Sequence, residues 1–593
     1  MGQNSYWDRA ASRRLSRRGV LRGSAVAGLG IAGAALIGCG DDDAAGTAGT
    51  PTGGAAATTT PAGAAATATA SAPEVKTGGT HIAHFTTPYN DEMDPHKSTS
   101  QAANIWSHMG NTGTRLNREA TEVVGELVES WEFASDTELV LKTRAGAKWH
   151  DKGVEAGRAL DAEDAAYNLM RIAGKLEPEQ SARYQRRTTM TGMVSAEAVD
   201  ATTVKVTFER PTSTFLSGMS DFRSSWFSKD FIDGGGDFNE PASMVGTGAF
   251  VLDEWENEVR ATFSRNPNYW RGEGRPYLDK VEWVWLPDAT AALTAFSQDQ
   301  VHHFPAPTSV QRETLKQLAK DAREEVWVFG NWNHWRFNPQ RAPFDDPRVR
   351  RALFLVPRYK EMMDTILGDG YWDFTGPLPS AYPEGYPAED IATQPGWNPA
   401  SKEADIQEAK DLMTAAGFPD GAITFGMMPS GPTQSGTFFE SGIRIQDQLK
   451  AVWPAMQANF DLPADTATFG KRQVEGDFDT ILYVIFPQPD PVLELSSQYH
   501  TSGSRNYGKF SDTTVDELLG KASQQLDPAE RTATLRELQD LLINDHMYIV
   551  TTSQPRQTAW FPNYIKGMEG FGGRVDGGGY DIRRHTEGMW YDK

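Results

Sequence analysis

Residues 245–255 read VGTGAFVLDEW, and residues 266–285 read NPNYWRGEGRPYLDKVEWVW. Gly246 and Gly248 place two residues without a Cβ at the entrance to a strand, where positive φ and close backbone approach both become possible. The second run ends in a strand whose Val281, Trp283 and Trp285 share one face of a two-residue period. The same alternation occurs upstream. Leu139 and Leu141 share a face in ELVLKTRA, and Val204, Val206 and Phe208 share one in TTVKVTFER. Helical patterns interrupt the strands. Asp161 can cap a helix through Ala165, Leu169 and Ile172, and Asp512 another through Val515, Leu518, Leu519 and Ala522. Asp527-Pro528-Ala529-Glu530 sets a cap, an N1 proline and an acidic N3 residue before Leu535, and Asp346-Pro347 can cap a helix through Val349. Gly417 ends a helix through Ile406, Ala409 and Met413. No period of about 20–50 residues repeats, which excludes solenoids and propellers. The mixture predicts an α/β protein with more than one sheet.

The N-terminus carries an address. Arg17 and Arg18, followed by Val20, Leu21 and Arg22, resemble the signal read by the twin-arginine translocase. The apolar run from Ser24 to Leu36 offers about a dozen residues against the roughly 20 that a span needs. Leu36-Ile37-Gly38-Cys39 resembles a bacterial lipobox, in which the cysteine takes a diacylglycerol and becomes the new N-terminus. Cys39 is the only cysteine in 593 residues, so the mature body is expected to hold neither disulfides nor thiolate metal sites. Residues 1–38 are thus expected to be a signal peptide. Residues 39–76, rich in Ala, Gly, Thr and Pro, cannot bury apolar surface and are expected to be a disordered tether.

Bulk composition narrows the function classes. Without residues 1–38 the chain carries 51 Lys+Arg against 78 Asp+Glu, a formal charge of −27. Such a surface repels phosphate backbones and anionic headgroups, so nucleic-acid binding is not expected. The 17 Trp and 28 Phe serve cores first, and a surplus also suits a wide ligand cleft. Roughly 515 residues after the tether imply several packed domains.

Five blocks, in order, give the chain a recognisable pattern: GELVESWEFASDTELVLKTRAGAKWHD, ALDAEDAAYNLMRI, VGTGAFVLDEW, NPNYWRGEGRPYLDKVEW and RFNPQRAPFDDPRVRRAL. Together they resemble the family 5 extracellular solute-binding proteins, the dipeptide/oligopeptide/nickel-type subunits of ABC importers, over about residues 78–560. The resemblance implies a two-lobed periplasmic-binding-protein-like α/β fold (class II, cluster C type) with an extra domain on the N-terminal lobe. The boundaries it implies are 77–120, 242–333 and 555–593 for the first lobe, 121–241 for the extra domain and 334–554 for the second lobe. Trp131, Trp149, Trp255 and Trp270 lie within the blocks and are expected in the core.

The resemblance also implies a mechanism without chemistry. The lobes close on a solute, and the closed form docks on a membrane permease. Expected partners are therefore a small-molecule solute, ABC permease subunits, and the membrane through lipidated Cys39 only, with the protein extracytoplasmic and monomeric. A sensing lipoprotein that shows its closed form to a receptor is the alternative. A secreted hydrolase finds no support: HExxH, G-x-S-x-G and a Walker glycine loop are absent, and no His spacing forms a metal pair. No cofactor or metal is expected.

Peptide-binding members hold the ligand amine with an aspartate in a loop that aligns with Val484–Pro491 here, and Pro487 takes that aspartate's place. A buried cationic amine would lack a counter-charge there, which weakens a peptide reading against a sugar chain or planar amphipathic solute. By loop position the candidate lining is Tyr89, Asn90, Asn331, Trp332, Asn333, Trp335, Tyr371, Trp372, Phe486, Gln488 and Asp490, with Asp490 also able to cap the helix VLELSSQ. Trp332 and Trp335 are expected to matter for ligand and little for unfolding of the empty protein.

Overall fold

Gly246 and Gly248 are the points where strand backbone presses on helix backbone. The computed structural model describes residues 74–85, 92–98, 102–117, 122–240, 243–272, 274–305, 308–328, 330–430, 436–569 and 585–593. In it neither glycine has positive φ. What both need is the missing Cβ: one built on Gly246 would lie 1.9 Å from the Met109 carbonyl oxygen, and one on Gly248 2.5 Å from that of His108. The Gly248 N–H donates to the Met109 carbonyl at 2.8 Å. The strand entrance thereby satisfies a carbonyl that the helix end would otherwise leave unpaired.

The first half of the chain runs β1 (Thr80–Phe85), α1 (Ala103–Met109), β2 (Val128–Ser135), β3 (Glu138–Thr143), α2 (Ala162–Ile172), β4 (Met193–Asp200), β5 (Thr203–Phe208), β6 (Phe250–Glu256), β7 (Arg260–Arg265) and β8 (Lys280–Trp285). Then follow β9 (Ala322–Val328), β10 (Trp332–Phe337), α3 (Pro347–Leu355), α4 (Lys402–Ala415), β11 (Thr424–Pro429), α5 (Thr437–Val452), β12 (Gln457–Phe460) and β13 (Thr480–Ile485). Next come α6 (Pro491–Tyr499), α7 (Thr513–Gln524), α8 (Pro528–Leu541) and β14 (Ile549–Pro562), with further helices and short strands between and after these elements.

These strands make three main sheets. One is ordered β1-β8-β7-β6, with β1 parallel to β8 and the rest antiparallel. A second, β2-β3-β5-β4, is wholly antiparallel. The third is mixed: β14, β10, β13, β11 and β12 are neighbours in that order, with β11 parallel to both β12 and β13. β14 is the long member. Its residues 549–553 pair with β10, 554–555 with Trp372–Asp373, and 556–562 with β9.

Burial follows the alternation. Leu139, Leu141, Val204, Val206 and Phe208 are buried, as are Val281 and Trp283. Along β10, Trp335 and Phe337 enter a core with Leu353, Phe425, Leu482 and Val550, whereas Trp332 enters a separate one with Ile485, Leu495, Leu518 and Leu538. A third core joins Ala83, Trp106, Phe250, Phe263, Trp283 and Phe561. Of the four block tryptophans only Trp149 is fully buried. Trp131 and Trp255 are half-buried because β2 and β6 are edge strands. Trp270 is half-buried too, with the Arg144 and Arg271 guanidiniums over its ring at 5.0 and 4.9 Å.

The expected caps form. Asp161 and Asp164 make a reciprocal capping box on α2, Asp512 caps α7, Asp527 caps α8 ahead of Pro528, and Asp346 caps α3 ahead of Pro347. Gly417 follows α4 at φ 94°. The chain end returns to the start of the body: the Tyr591 hydroxyl donates to the Thr80 carbonyl at 3.0 Å, and Lys76 pairs with Asp592 at 2.9 Å.

Candidate functional site

Parallel strands β11 and β13 end at one edge of the mixed sheet, and the antiparallel β10 begins there, with Trp332 opposite Ile485. The crevice beyond the carboxyl ends of parallel strands is where open α/β sheets accept ligands, because loops rather than paired backbone face it. The loop leaving β13 here, residues 486–490, carries three of the expected lining residues. Phe486 is 45% exposed, Gln488 half-buried and Asp490 buried.

That loop is held from several sides. The Gln488 N–H donates to Glu494 Oε2 at 2.7 Å, and the Tyr382 hydroxyl donates to the Gln488 carbonyl at 2.6 Å. Arg505 donates to the Phe486 carbonyl at 2.6 Å. Burial raises the pKa of the Glu494 carboxyl despite the nearby Arg505. Asp490 caps α6 by accepting from Val492 N–H at 2.8 Å, and it also takes Arg531 at 2.6 Å and the Ser217 hydroxyl at 2.9 Å. With its oxygens so engaged, Asp490 is a helix cap and ion-pair partner. Arg186, from the β2–β5 region, donates to Gln488 Oε1 at 3.2 Å and through Nε to Asp221 at 2.7 Å.

Asp221 is fully buried. Burial pushes its carboxyl up, but Arg186 and Arg223 outweigh burial and hold it below the usual carboxylate range. A depressed native pKa stabilises the fold above the unfolded-state value and is lost as pH falls through the native one. Asp221→Asn should therefore flatten the decline of stability in urea titrations below about pH 4.

The remaining expected residues fall into four groups. Asn331 and Asn333 flank the start of β10, and Asn333 donates to the Ser553 hydroxyl at 3.1 Å, next to the turnover of β14 from one partner strand to the other. Tyr371 and Trp372 border the same stretch. Trp372 pairs with Pro555 and donates to Asp364 at 2.9 Å, and Tyr371 donates to Glu324 at 2.9 Å with Arg312 lying 3.5 Å above its ring. Trp332 and Trp335 are 0% exposed, and Trp372 is also buried. The first two are core residues rather than lining, because alternate residues of an interior strand face the helix layers on either side of the sheet. Trp335→Ala is accordingly a stability variant, contrary to the expectation above. Tyr89 and Asn90, like Arg17, Arg18 and Cys39, lie outside the described residues.

Sequence reasoning missed Arg186, Ser217, Asp221, Tyr382 and Arg505. None sits in a recognisable spacing, and each meets the loop only through the tertiary fold. Among the described residues no cluster of three or more His, Cys, Asp or Glu could hold a metal, and no helix is long and apolar enough to cross a membrane.

The model for "Bacterial extracellular solute-binding proteins, family 5 Middle" matches residues 122–506. The periplasmic murein peptide-binding protein MppA of Escherichia coli K12 is 23% identical over 455 residues, covering 72% of this chain and 78% of that protein. Heme-binding protein A of Haemophilus influenzae is 24% identical over 465 residues, covering 74% and 80%. The periplasmic binding protein DppA of Helicobacter pylori, solved in complex with the peptide STSA, superposes with a TM-score of 0.70 at 20% identity, covering 87% of this chain and 99% of that one.

Proposed function

The chain belongs to the bacterial extracellular solute-binding proteins of family 5, and from that membership we propose that it captures a small solute between two lobes and hands it to the permease of an ABC importer. Family 5 proteins bind and do not catalyse, and the fold is the two-lobed α/β fold of periplasmic binding proteins. The observation that carries the reading is the sharing of β14, which leaves β10 for β9 at residues 553–556 beside the β9–β10 junction. Two adjacent crossings of this kind are what a hinge needs, since rotation there moves one set of packed elements against the other. In this reading residues 77–120, 242–333 and 555–593 form the first lobe, 121–241 the extra domain and 334–554 the second lobe. Solute contacts made only in the closed form shift the population toward it.

Membership does not name the solute: relatives are described as binding a murein peptide and heme, and one was solved with a tetrapeptide. Pro487 removes a carboxylate from the loop at the crevice, so the reading covers peptides, oligosaccharides and related compounds without preference for a cationic amine. The test is a thermal-shift screen of peptides, oligosaccharides and metal chelates. A binder at a hundredfold its Kd should stabilise the protein by about 2.7 kcal/mol, visible as a raised Tm. Turnover of a bound compound by the purified protein would overturn the reading.

The same proposal places the body outside the cytoplasm on a lipid at Cys39. Two acyl chains suffice for stable anchoring. Cys39→Ser should release the protein from the membrane fraction into the soluble extracytoplasmic fraction. Replacing both Arg17 and Arg18 by lysine should leave it in the cytoplasm, and continued export would refute the twin-arginine route.

A further inference from the structure

We propose that Arg186 and Ser217 latch the loop 486–490, so that the extra domain, residues 121–241, is itself part of the clamp. The inference rests on the two-lobe reading above. Three sites bridge this domain to the second lobe. Arg186 Nη1 donates to Gln488 Oε1 at 3.2 Å, the Ser217 hydroxyl donates to Asp490 Oδ2 at 2.9 Å, and the Ser213 N–H donates to the Ser523 carbonyl at 3.0 Å. They join segments that lie far apart in sequence, one from residues 186–217 and the other from residues 488–523.

Each half of the latch is braced on its own side. Arg186 is tied through Nε and Nη2 to Asp221, whose carboxylate also accepts from the Arg223 N–H at 2.8 Å. Asp221 is wholly buried, so Arg186 cannot swing away without stranding a charge. Across the gap, Gln488 is fixed by Glu494 and Tyr382, and Asp490 by Arg531 and the first turn of α6. Parting the lobes therefore breaks the bridging bonds and draws Arg186 away from the Glu494 carboxylate that it faces, while both braces stay intact. Those bonds join a guanidinium to a neutral amide, the Ser217 hydroxyl to a carboxylate already paired with Arg531, and the Ser213 N–H and hydroxyl to the Ser523 and Ala522 carbonyls. Each is individually modest, which suits an element that must open in every cycle. The latched loop also carries exposed Phe486 just beyond the carboxyl end of β13, so closure is linked through Gln488 and Asp490 to where that ring stands.

Hydrogen exchange read by mass spectrometry on the full chain tests this without a solute, because the Ser213 amide is itself a bridge. In the Gln488→Ala, Ser217→Ala double variant, exchange at Ser213 should quicken roughly tenfold. Gln488→Glu should slow it, by giving Arg186 a charged acceptor. Unchanged exchange at Ser213 in the double variant, or no slowing in Gln488→Glu, overturns the latch. If Leu139 and Leu141 in β3 also quicken in the double variant, that domain has unfolded and Gln488→Glu alone decides. A latch that responds while every solute screen stays empty would count against the transport reading and not against the latch. A solute-induced Tm rise with a silent latch would do the reverse.

Discussion

Truncating Trp335 to alanine should lower the stability of the folded chain by about 3–5 kcal/mol, the range for removing a buried tryptophan. The side chain is 0% exposed and its ring centroid lies 4.7 Å from that of Phe337 and 6.5 Å from that of Phe425. Its strand neighbours are Leu482 on one side and Val550 on the other, so the sheet cannot collapse into the space without moving two further strands. The measurement is urea unfolding, with the midpoint falling and the slope unchanged. Trp335→Phe should recover part of the loss, because it keeps the ring contact with Phe337. A cost below about 1 kcal/mol for the alanine variant would be that of a surface position and would remove Trp335 from the core.

Gly246→Ala should be comparably damaging for a different reason. The added methyl would lie 1.9 Å from the Met109 carbonyl oxygen and 2.8 Å from its carbon, and neither can rotate aside as a side chain could. The Gly246 carbonyl also accepts from the His150 N–H at 2.8 Å, so the glycine is pinned from behind. Relief requires the end of α1 and the entry to β6 to separate, at roughly 3 kcal/mol, the upper end of overpacking penalties. Gly520→Ala is the informative contrast. It lies within α7 with nothing within 4 Å of the added carbon, and it should stabilise the protein by up to about 1 kcal/mol through helix propensity. Thermal unfolding of the two variants side by side checks both signs.

What could be read from residues alone was whatever local chemistry decides. Asp161, Asp346, Asp512 and Asp527 cap helices because a carboxylate two or three residues before an unpaired N–H has little else to do, and that holds before any tertiary contact exists. Likewise Val204, Val206 and Phe208 could be placed on a buried face from period alone. Gly246 was half legible: the need for a bare Cα was evident, but its cause is a helix end more than a hundred residues away and not a left-handed φ. Loop position failed for Trp332 and Trp335 because β10 is an interior strand of a sheet covered on both faces, so neither side of its alternation points to solvent. Arg186 and Ser217 carried no signal at all. Their partners are set by how two sheets meet, which no spacing along the chain encodes.

The return of the C-terminus to β1 has a mechanical consequence. Lys76 is fastened to Asp592 and to the Lys593 carbonyl, at 2.9 and 3.0 Å, while Tyr591 holds Thr80. Tension drawn on the chain ahead of Lys76 thus enters at β1 and is shared at once with residues 591–593, and β1 passes it directly to β8. None of the contacts just named involves residues 553–556, where β14 passes from β10 to β9, so a pull from that end is taken up apart from the stretch proposed to bend.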